Sequence, residues 1–291
     1  MQSLWMLLAS FLFAVMAVLV KFAIDAHSLA EVIFWRGTVG IVSVALLTRA
    51  QGVSLATRRP WLHFTRGAAG LAALGLYYYT IAEMPVGTAF TLQYTSPIWV
   101  AVLGTIAFRD RAHWKLPLAV ALGFAGVVLV LRPTFSPEQL VTGVIGLVGA
   151  FCAGAAYINV RKLAAEGEPE SRIVFYFALF MTAGAALWMI AEQRMLLEGR
   201  GLGFMIGAGV LATMAQLALT RAYSRGKSIL AATLSYSGVV FAVIFGWMFW
   251  DESLPAIGAA GVALIVASGV LATFATARAP QAPATARTAP D

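Results

Sequence analysis

The chain has 291 residues, of which 60% are hydrophobic and only 11% are charged, and its mean hydropathy is +0.84. A water-soluble globule of this size carries about a quarter charged residues, so a soluble protein is excluded and lipid is indicated as the solvent. The formal net charge of +7 would suit a nucleic-acid-binding protein. The basic residues are instead distributed by membrane side, which argues against that class.

Ten apolar windows are long enough to cross a bilayer, which requires roughly 17–25 residues in a helix because only an internally bonded backbone is tolerated in lipid. We number them spans 1 to 10, at about 3–22, 31–48, 64–82, 88–107, 116–131, 141–160, 173–191, 203–220, 228–249 and 255–275. Arg36 interrupts span 2, and spans 3 and 5 are short, so nine helices are the alternative. The prediction is an all-α integral membrane protein with ten transmembrane helices.

The two ends of the chain differ in composition. No Lys or Arg precedes span 1 and no small-residue cleavage site follows it, so we predict a retained helix rather than a removed signal peptide. Residues 279–291 are rich in Pro, Ala and Thr and are predicted to form a disordered cytoplasmic tail. The single cysteine, Cys152, forms no intrachain disulfide.

The basic residues predict the orientation. With the N-terminus in the cytoplasm, 15 of the 20 Lys and Arg residues, Arg66 among them, fall on the inner side. The 5 outer cations are Lys21, Arg36, Arg132, Arg194 and Arg200. This asymmetry satisfies the positive-inside rule and predicts that both termini are cytoplasmic. In this interpretation each cation marks topology.

The chain contains an internal repeat. The segment TLQYTSPIWVAVLGTIAFRD at 91–110 matches TLSYSGVVFAVIFGWMFWDE at 233–252 without a gap, at an offset of 142. The matched pairs include Thr91/Thr233, Leu92/Leu234, Tyr94/Tyr236, Gly104/Gly246 and the acids Asp110/Glu252. Residues 13–35 align with 154–176 at an offset of 141. We predict two five-helix repeats, 1–135 and 136–278, and since five is odd the second is inverted. Duplication kept only for packing is the alternative.

Three features resemble the ten-helix EamA-type branch of the drug/metabolite transporter superfamily: Arg36 early in span 2, IAEMPVGTAFTLQYTSPIWVAVLGTIAFRDR at 81–111, and the weaker copy ending in WDES. The resemblance covers residues 3–275, and the Tyr- and Trp-rich first half is most similar to bacterial inner-membrane exporters of amino acids, including aromatic ones. It implies a substrate path between the halves, lined by spans 1–4 and 6–9, with spans 5 and 10 peripheral. Asp110 departs from the family's usual Glu.

Polar groups inside the spans are the candidates for the path. Pro97 lacks a backbone N–H, so the carbonyl of Gln93 loses its helical partner and a polar notch is predicted in span 4, with Gly238 as the hinge counterpart in span 9. The predicted path residues are Tyr78, Gln93, Tyr94, Trp99, Tyr157, Gln216 and Tyr236, because polar side chains in mid-membrane tend to be functional. Packing between helices is the alternative for each of them.

Missing motifs narrow the function further. The sequence has no phosphate loop, no paired Cys/His spacing for a metal, and no carboxylate near the middle of a span. We therefore expect no cofactor, no metal and no catalysis. The expected mechanism is facilitated diffusion or exchange of zwitterions along a net-neutral path. The expected partners are a small-molecule substrate, most simply an amino acid, and the lipid bilayer, with no nucleic acid and a monomeric chain. A multidrug or nucleotide-sugar-type carrier and a multi-pass membrane enzyme are the alternatives.

Overall fold

The computed structural model describes residues 2–23, 28–108, 114–133, 136–192, 202–251 and 255–277. All regular structure within these ranges is helical. The helices are α1 (Trp5–Ala23), α2 (Leu29–Ala50), α3 (Pro60–Glu83), α4 (Val86–Gln93), α5 (Ser96–Phe108), α6 (Lys115–Leu131), α7 (Leu140–Ala165), α8 (Glu170–Ala191), α9 (Leu202–Arg225), α10 (Ser228–Ser235), α11 (Ser237–Trp250) and α12 (Ala256–Ala277). The predicted tail at 279–291 and the repeat acids Asp110 and Glu252 lie outside the described residues.

These helices form the ten predicted spans. Helices α4 and α5 together make span 4, α10 and α11 make span 9, and each other span is one helix. Seven helical segments are long and apolar enough to cross a membrane. The other three are α3, which contains His63 and Arg66, the interrupted span 4, and α6, which has 17 residues. The ten-helix all-α membrane fold is confirmed.

Large apolar side chains cover the outside of the bundle. Ile106 is 71% exposed, Leu187 69% and Trp247 66%. A soluble protein would not leave so much apolar surface in water, whereas lipid covers it without cost.

The two halves pack as equivalent units. In the repeat, α1, α2 and α3 correspond to α7, α8 and α9, the pair α4–α5 to α10–α11, and α6 to α12. Helix α1 packs along α9 as α7 packs along α3, while α2 packs on its own counterpart α8 and α6 on its counterpart α12. Exchanging the halves preserves these contacts, as the two-fold relation of an inverted repeat requires.

Spans 4 and 9 are interrupted at the same position of the repeat. Helix α4 ends before Tyr94, and α10 ends before Tyr236. The hydroxyl of Thr95 donates to the carbonyl of Leu92 at 2.7 Å, and the equivalent hydroxyl of Ser237 donates to Leu234 at 2.7 Å. Side-chain hydroxyls thus bind carbonyls at both breaks.

The halves are packed more tightly at one end of the bundle. We call this the terminus face, because α1 begins there and α12 ends there, and the largest buried apolar cluster joins Met6, Leu163, Tyr223 and Ala275 there. Close to this face α5 of the first half packs on α10 of the second half, and within the second half α7 packs on α9. Among the described residues, contacts between the corresponding pairs α4/α11 and α1/α3 are marginal at most. The packing of α5, α10, α7 and α9 is therefore closer near the terminus face than that of their repeat counterparts toward the opposite face, where α1 and α2 still contact α9 through Val20, Val32 and Met205.

We predict that Gly126→Ala destabilises the fold. A Cβ on Gly126 would lie 2.7 Å from the carbonyl oxygen of Gly261 and 2.8 Å from Cγ1 of Ile265, so α6 and α12 would have to separate. Overpacking of this kind costs about 1–3 kcal/mol. The measurement is the fraction of chain that remains monodisperse in detergent after heating. The matched control is Gly75→Ala, whose added Cβ would meet nothing within 4 Å. Equal heat resistance of the two variants would show that the α6–α12 contact is not tight.

Candidate functional site

A cavity lies between the halves, where α2 of the first half faces α8 and α9 of the second. Its lining residues are Arg36, Gly37, Gly40, Val174, Phe177, Ala178, Met181, Ala212, Thr213 and Gln216. Gln216 was predicted as a path residue, and it is buried here. The walls are otherwise mostly apolar, as ligand sites generally are, with a few polar groups to orient a ligand.

Arg36 supplies the charge of this cavity. Its guanidinium lies 5.6 Å from the ring centre of Phe13 on α1. The ionisable groups that interact with it electrostatically are the phenols of Tyr78 and Tyr157, and within the described part of the chain no carboxylate does so. Both tyrosines were predicted to line the path, and the structure brings them to this cation.

Arg66 is a second cation close by, and it is buried. The side chain lies on α3 and the residue is 2% exposed. Its guanidinium carbon sits 3.9 Å from the ring centre of Phe177, the same phenylalanine that lines the cavity of Arg36. Nε and Nη1 of Arg66 are buried and have no hydrogen-bond partner among the described residues. Tyr157 interacts electrostatically with both arginines.

Tyrosine rings continue from this centre toward the two helix breaks. Tyr157 stacks on Tyr223 with ring centres 4.8 Å apart. Tyr94 interacts electrostatically with Tyr157, and its ring centre is 6.2 Å from that of Tyr236. Tyr94 and Tyr236, the two copies of one repeat position, therefore meet across the halves.

The remaining predicted residues occupy other surroundings. Trp99 packs edge-on against Phe151 of α7, with ring centres 5.3 Å apart. Tyr236 is fully buried against Val127 and Ile265 of α6 and α12. Gln93 is the last residue of α4 and is half-buried. Their roles in a path stay predictions.

The two predicted hinges lie beside the breaks. Pro97 is the second residue of α5 and is buried, and Gly238 is the second residue of α11. A Cβ on Gly238 would lie 3.1 Å from the hydroxyl oxygen of Tyr94, so a glycine leaves room for this tyrosine. A hinge role for either residue stays a prediction.

The sequence interpretation missed both arginines as site residues, because it counted Arg36 and Arg66 among the charges that mark topology. The expectation of a net-neutral path is wrong for this cavity, which contains a guanidinium. A signal was present in the sequence: Arg36 and Arg66 fall inside predicted apolar spans rather than in loops. An ionisable side chain within a span is costly and therefore indicates function.

A polar cluster, which we call the terminus-face network, joins the α2–α3 loop of the first half to the α7–α8 loop of the second. Its members are Ser54, Thr57, Arg59, His63, Glu166, Glu168 and Arg172. Arg59 pairs with Glu166 at 2.6 Å, and both side chains are about half exposed. Arg172 donates to the carbonyl of Ser54 and so ties α8 to the first half.

Glu168 is the centre of the terminus-face network. Its carboxylate is buried and accepts hydrogen bonds from Thr57 at 2.6 Å and from Arg172 at 2.7 Å, with Nε2 of His63 at 3.3 Å. Burial opposes ionisation, but the hydrogen bonds from Thr57 and Arg172, together with the nearby His63, outweigh it and hold the pKa of Glu168 below its usual value. Glu168 is therefore ionised at neutral pH.

Comparison with known proteins gives the family. The model of the EamA-like transporter family matches residues 1–132 and again 141–274. The chain is 34% identical to the pseudopaline exporter CntI of Pseudomonas aeruginosa (strain UCBPP-PA14) over 263 residues, which are 89% of this chain and 91% of that protein. It is 26% identical over 276 residues to a riboflavin transporter of Rhizobium johnstonii, covering 92% of this chain and 89% of that protein.

A solved crystal structure shows the same fold. It superimposes with a TM-score of 0.84 at 20% sequence identity, over 95% of this chain and 99% of the other. The family and the named relatives are transporters of small molecules, not enzymes. The chain is a multi-pass membrane transporter and belongs to the EamA-like transporter family.

Proposed function

We propose that the chain is a secondary transporter that exports small amphipathic metabolites of the amino-acid class across a bacterial inner membrane by alternating access. One observation carries this proposal: the two inverted halves form a cavity beside Arg36, and α5 packs on α10 while the repeat counterparts α11 and α4 have marginal contact at most among the described residues. An inverted pair of this kind can reverse the packing, which would open the same cavity to the other side.

The direction of export rests on orientation and on a relative. The excess of Lys and Arg on the terminus-face side favours a cytoplasmic terminus face, with both termini inside. In this orientation the structure is closed to the cytoplasm. Pseudomonas CntI is named an exporter, which supports outward transport, while the riboflavin transporter shows that relatives handle other cargo. The substrate class must therefore come from the chemistry of the site.

The proposed moving parts are the two repeats, 1–135 and 136–278. Opening the terminus face would break the terminus-face network and separate α5 from α10. The breaks at Tyr94 and Tyr236, next to Pro97 and Gly238, would let the two parts of spans 4 and 9 tilt separately. Only short turn bonds, such as that from the amide of Thr95 to the carbonyl of Leu92, cross these points, so bending there breaks fewer hydrogen bonds than bending an intact helix would.

The proposed energetics need no proton relay. In the described spans the carboxylates Glu31, Glu83 and Glu170 lie at helix ends, so none sits in mid-membrane where a proton-coupled carrier commonly has one. We propose facilitated diffusion or exchange, driven by the gradient of the substrate itself.

The two arginines favour one of the alternatives more than the sequence did. A nucleotide-sugar-type carrier would need cations in its cavity; Arg36 lines the cavity and Arg66 lies against Phe177 of its wall. The rest of the lining is mostly apolar, with Thr213 and Gln216 as its other polar side chains, which suits a compact amphipathic molecule better than a sugar and a base. Amino-acid-like cargo remains the leading assignment.

We predict that Tyr94→Ala reduces flux more than Tyr94→Phe does. The ring of Tyr94 fills the contact between the two halves, so its loss leaves a void, whereas the phenylalanine keeps the ring and removes only the hydroxyl. The measurement is flux of labelled amino acids through each purified variant in proteoliposomes at equal protein. If Tyr94→Ala transports as fast as the parent chain, Tyr94 does not form part of the path.

We predict that Glu168→Gln opens the terminus face. The buried carboxylate has three partners, and hydrogen bonds to a charged group contribute about 1.5–3 kcal/mol each. The measurement is labelling of Ala178→Cys, a cavity position, by an impermeant maleimide from the terminus-face side in a Cys152→Ala background. Labelling should be at least several times faster in Glu168→Gln.

Glu166→Gln is the matched control for this variant. Its carboxylate is 43% exposed and pairs with Arg59, and such surface pairs contribute about 1 kcal/mol or less. Labelling should barely change. Equal rates in both variants would show that Glu168 does not hold the terminus face closed.

We predict that the terminus-face closure withstands moderate acid. Because the folded-state pKa of Glu168 lies below its usual value of about 4.3, its stabilising effect is complete above that value and is lost as pH falls through the lower, folded-state value. The distance between spin labels on Arg58→Cys and Ala165→Cys, both at exposed positions, should stay constant from neutral pH to about pH 4.3 and lengthen below it. Lengthening already near pH 6 would contradict the assignment, and Glu168→Gln should abolish the acid transition.

A further inference from the structure

Arg36, which is partly exposed to the cavity, and the buried Arg66 carry more positive charge than the protein itself neutralises. Neither Arg36 nor Arg66 has a carboxylate among its electrostatic partners in the described residues. A buried charge is expensive unless it is paired, and tyrosine phenols are neutral at physiological pH. A bound molecule therefore has to supply the negative charge that neutralises these arginines.

One phenylalanine, Phe177, connects the two cations. Phe177 lines the cavity beside Arg36 and carries the guanidinium of Arg66 on its ring face, at 3.9 Å. This stack needs a glycine next to it: a Cβ on Gly70 would lie 2.5 Å from Cε2 of Phe177 and 2.6 Å from Nη1 of Arg66. Stacking holds the guanidinium plane in place and leaves Nε and Nη1 free to donate.

The charge breaks the symmetry of the repeat. At the offset of 141, the positions that correspond to Arg36 and Arg66 are Phe177 and Gly207, which carry no charge. Packing of the inverted halves is equivalent on both sides, so it does not require cations on one side only. A role toward cargo accounts for charge confined to the first half.

We propose that Arg36 and Arg66 each bind a carboxylate of the cargo, so that the transported compounds are net-anionic molecules of the amino-acid class with two or more carboxylates. This rests on the proposed function and narrows it. A guanidinium presents parallel N–H donors that match a carboxylate in bidentate fashion, and free Nε and Nη1 of Arg66 are donors of this kind. Gln216 and Thr213 line the same cavity and provide neutral polar contacts for the rest of the molecule.

A binding experiment tests the site without requiring transport. The full chain in detergent is heated with citrate, glutamate, glutamine or inorganic phosphate, each at matched ionic strength against sodium chloride. Citrate and glutamate should raise the unfolding temperature, and glutamine should not. The affinity for citrate should fall roughly tenfold to a hundredfold in Arg36→Gln and in Arg66→Met, as expected for loss of a charge-assisted hydrogen bond. Arg58→Gln, at an exposed loop position, should bind citrate as the parent does.

Each other result overturns the proposal in a recognisable way. Stabilisation by phosphate but not by carboxylates would assign the site to phosphorylated cargo. Equal stabilisation by glutamine and glutamate, or none by any probe, would show that the arginines do not bind cargo. Arg66→Met should be at least as heat-resistant as the parent without ligand, since an unpaired buried charge is removed; a lower unfolding temperature would make Arg66 a structural cation.

Flux measurements separate this proposal from the one on which it rests. If the chain transports neutral amino acids in proteoliposomes but does not bind citrate, the proposed exporter function is supported and the carboxylate site is contradicted. If citrate binds at Arg36 and Arg66 but no amino acid is transported, the carboxylate site is supported and the proposed export of amino-acid-like compounds is contradicted.

Discussion

The bilayer does not hydrogen-bond the backbone, and most features of this protein follow from that constraint. It requires helices across the membrane, and it makes an interrupted helix costly unless other groups satisfy the freed carbonyls. The chain meets this requirement twice at one repeat position, where Thr95 and Ser237 donate to carbonyls three residues earlier. Two broken helices can therefore meet inside the bundle, at Tyr94 and Tyr236, without exposing the backbone to lipid.

Symmetry of packing and asymmetry of charge serve different purposes in this chain. The equivalent contacts α1–α9 and α3–α7 give the halves the same framework, which is what an exchange between two similar states requires. Arg36 and Arg66 belong to the first half alone. They lie on otherwise apolar helices, close to Phe177 of the second half. This arrangement around Phe177 therefore exists only when the two halves are packed together.

Closure at the terminus face combines two kinds of interaction. Apolar burial joins α5 of the first half to α10 of the second, and it is not directional. The interactions of the terminus-face network are directional, because the buried Glu168 has to contact Thr57, His63 and Arg172 at the same time. The loops that carry these groups come from opposite halves, so separating the halves breaks the network at once.

The sequence by itself determined the solvent, the number of spans and the repeat. Apolar windows predicted the helices to within a few residues, for example 31–48 for Leu29–Ala50, because a helix in lipid satisfies its own backbone and needs no partner to form. Helices α7 and α9 extend about five residues beyond their windows, to Ala165 and Arg225, because their ends leave the apolar layer and become polar. The gap-free match of 91–110 with 233–252 likewise predicted that both spans carry the same feature, and both are broken.

Only the tertiary structure decided what surrounds each polar side chain. Hydropathy cannot show which side of a helix faces another helix, so the sequence placed Arg36 and Arg66 inside spans without showing what they contact, and it did not show what Trp99 contacts. Packing placed both arginines with Phe177, and it placed Trp99 against Phe151. The terminus-face network was equally hidden, since Thr57 and Glu168 are 111 residues apart in the chain and meet only because two inverted halves bring their loops to one face. Charge neutralisation and contact between halves depend on three-dimensional neighbours, which composition and periodicity along one chain do not contain.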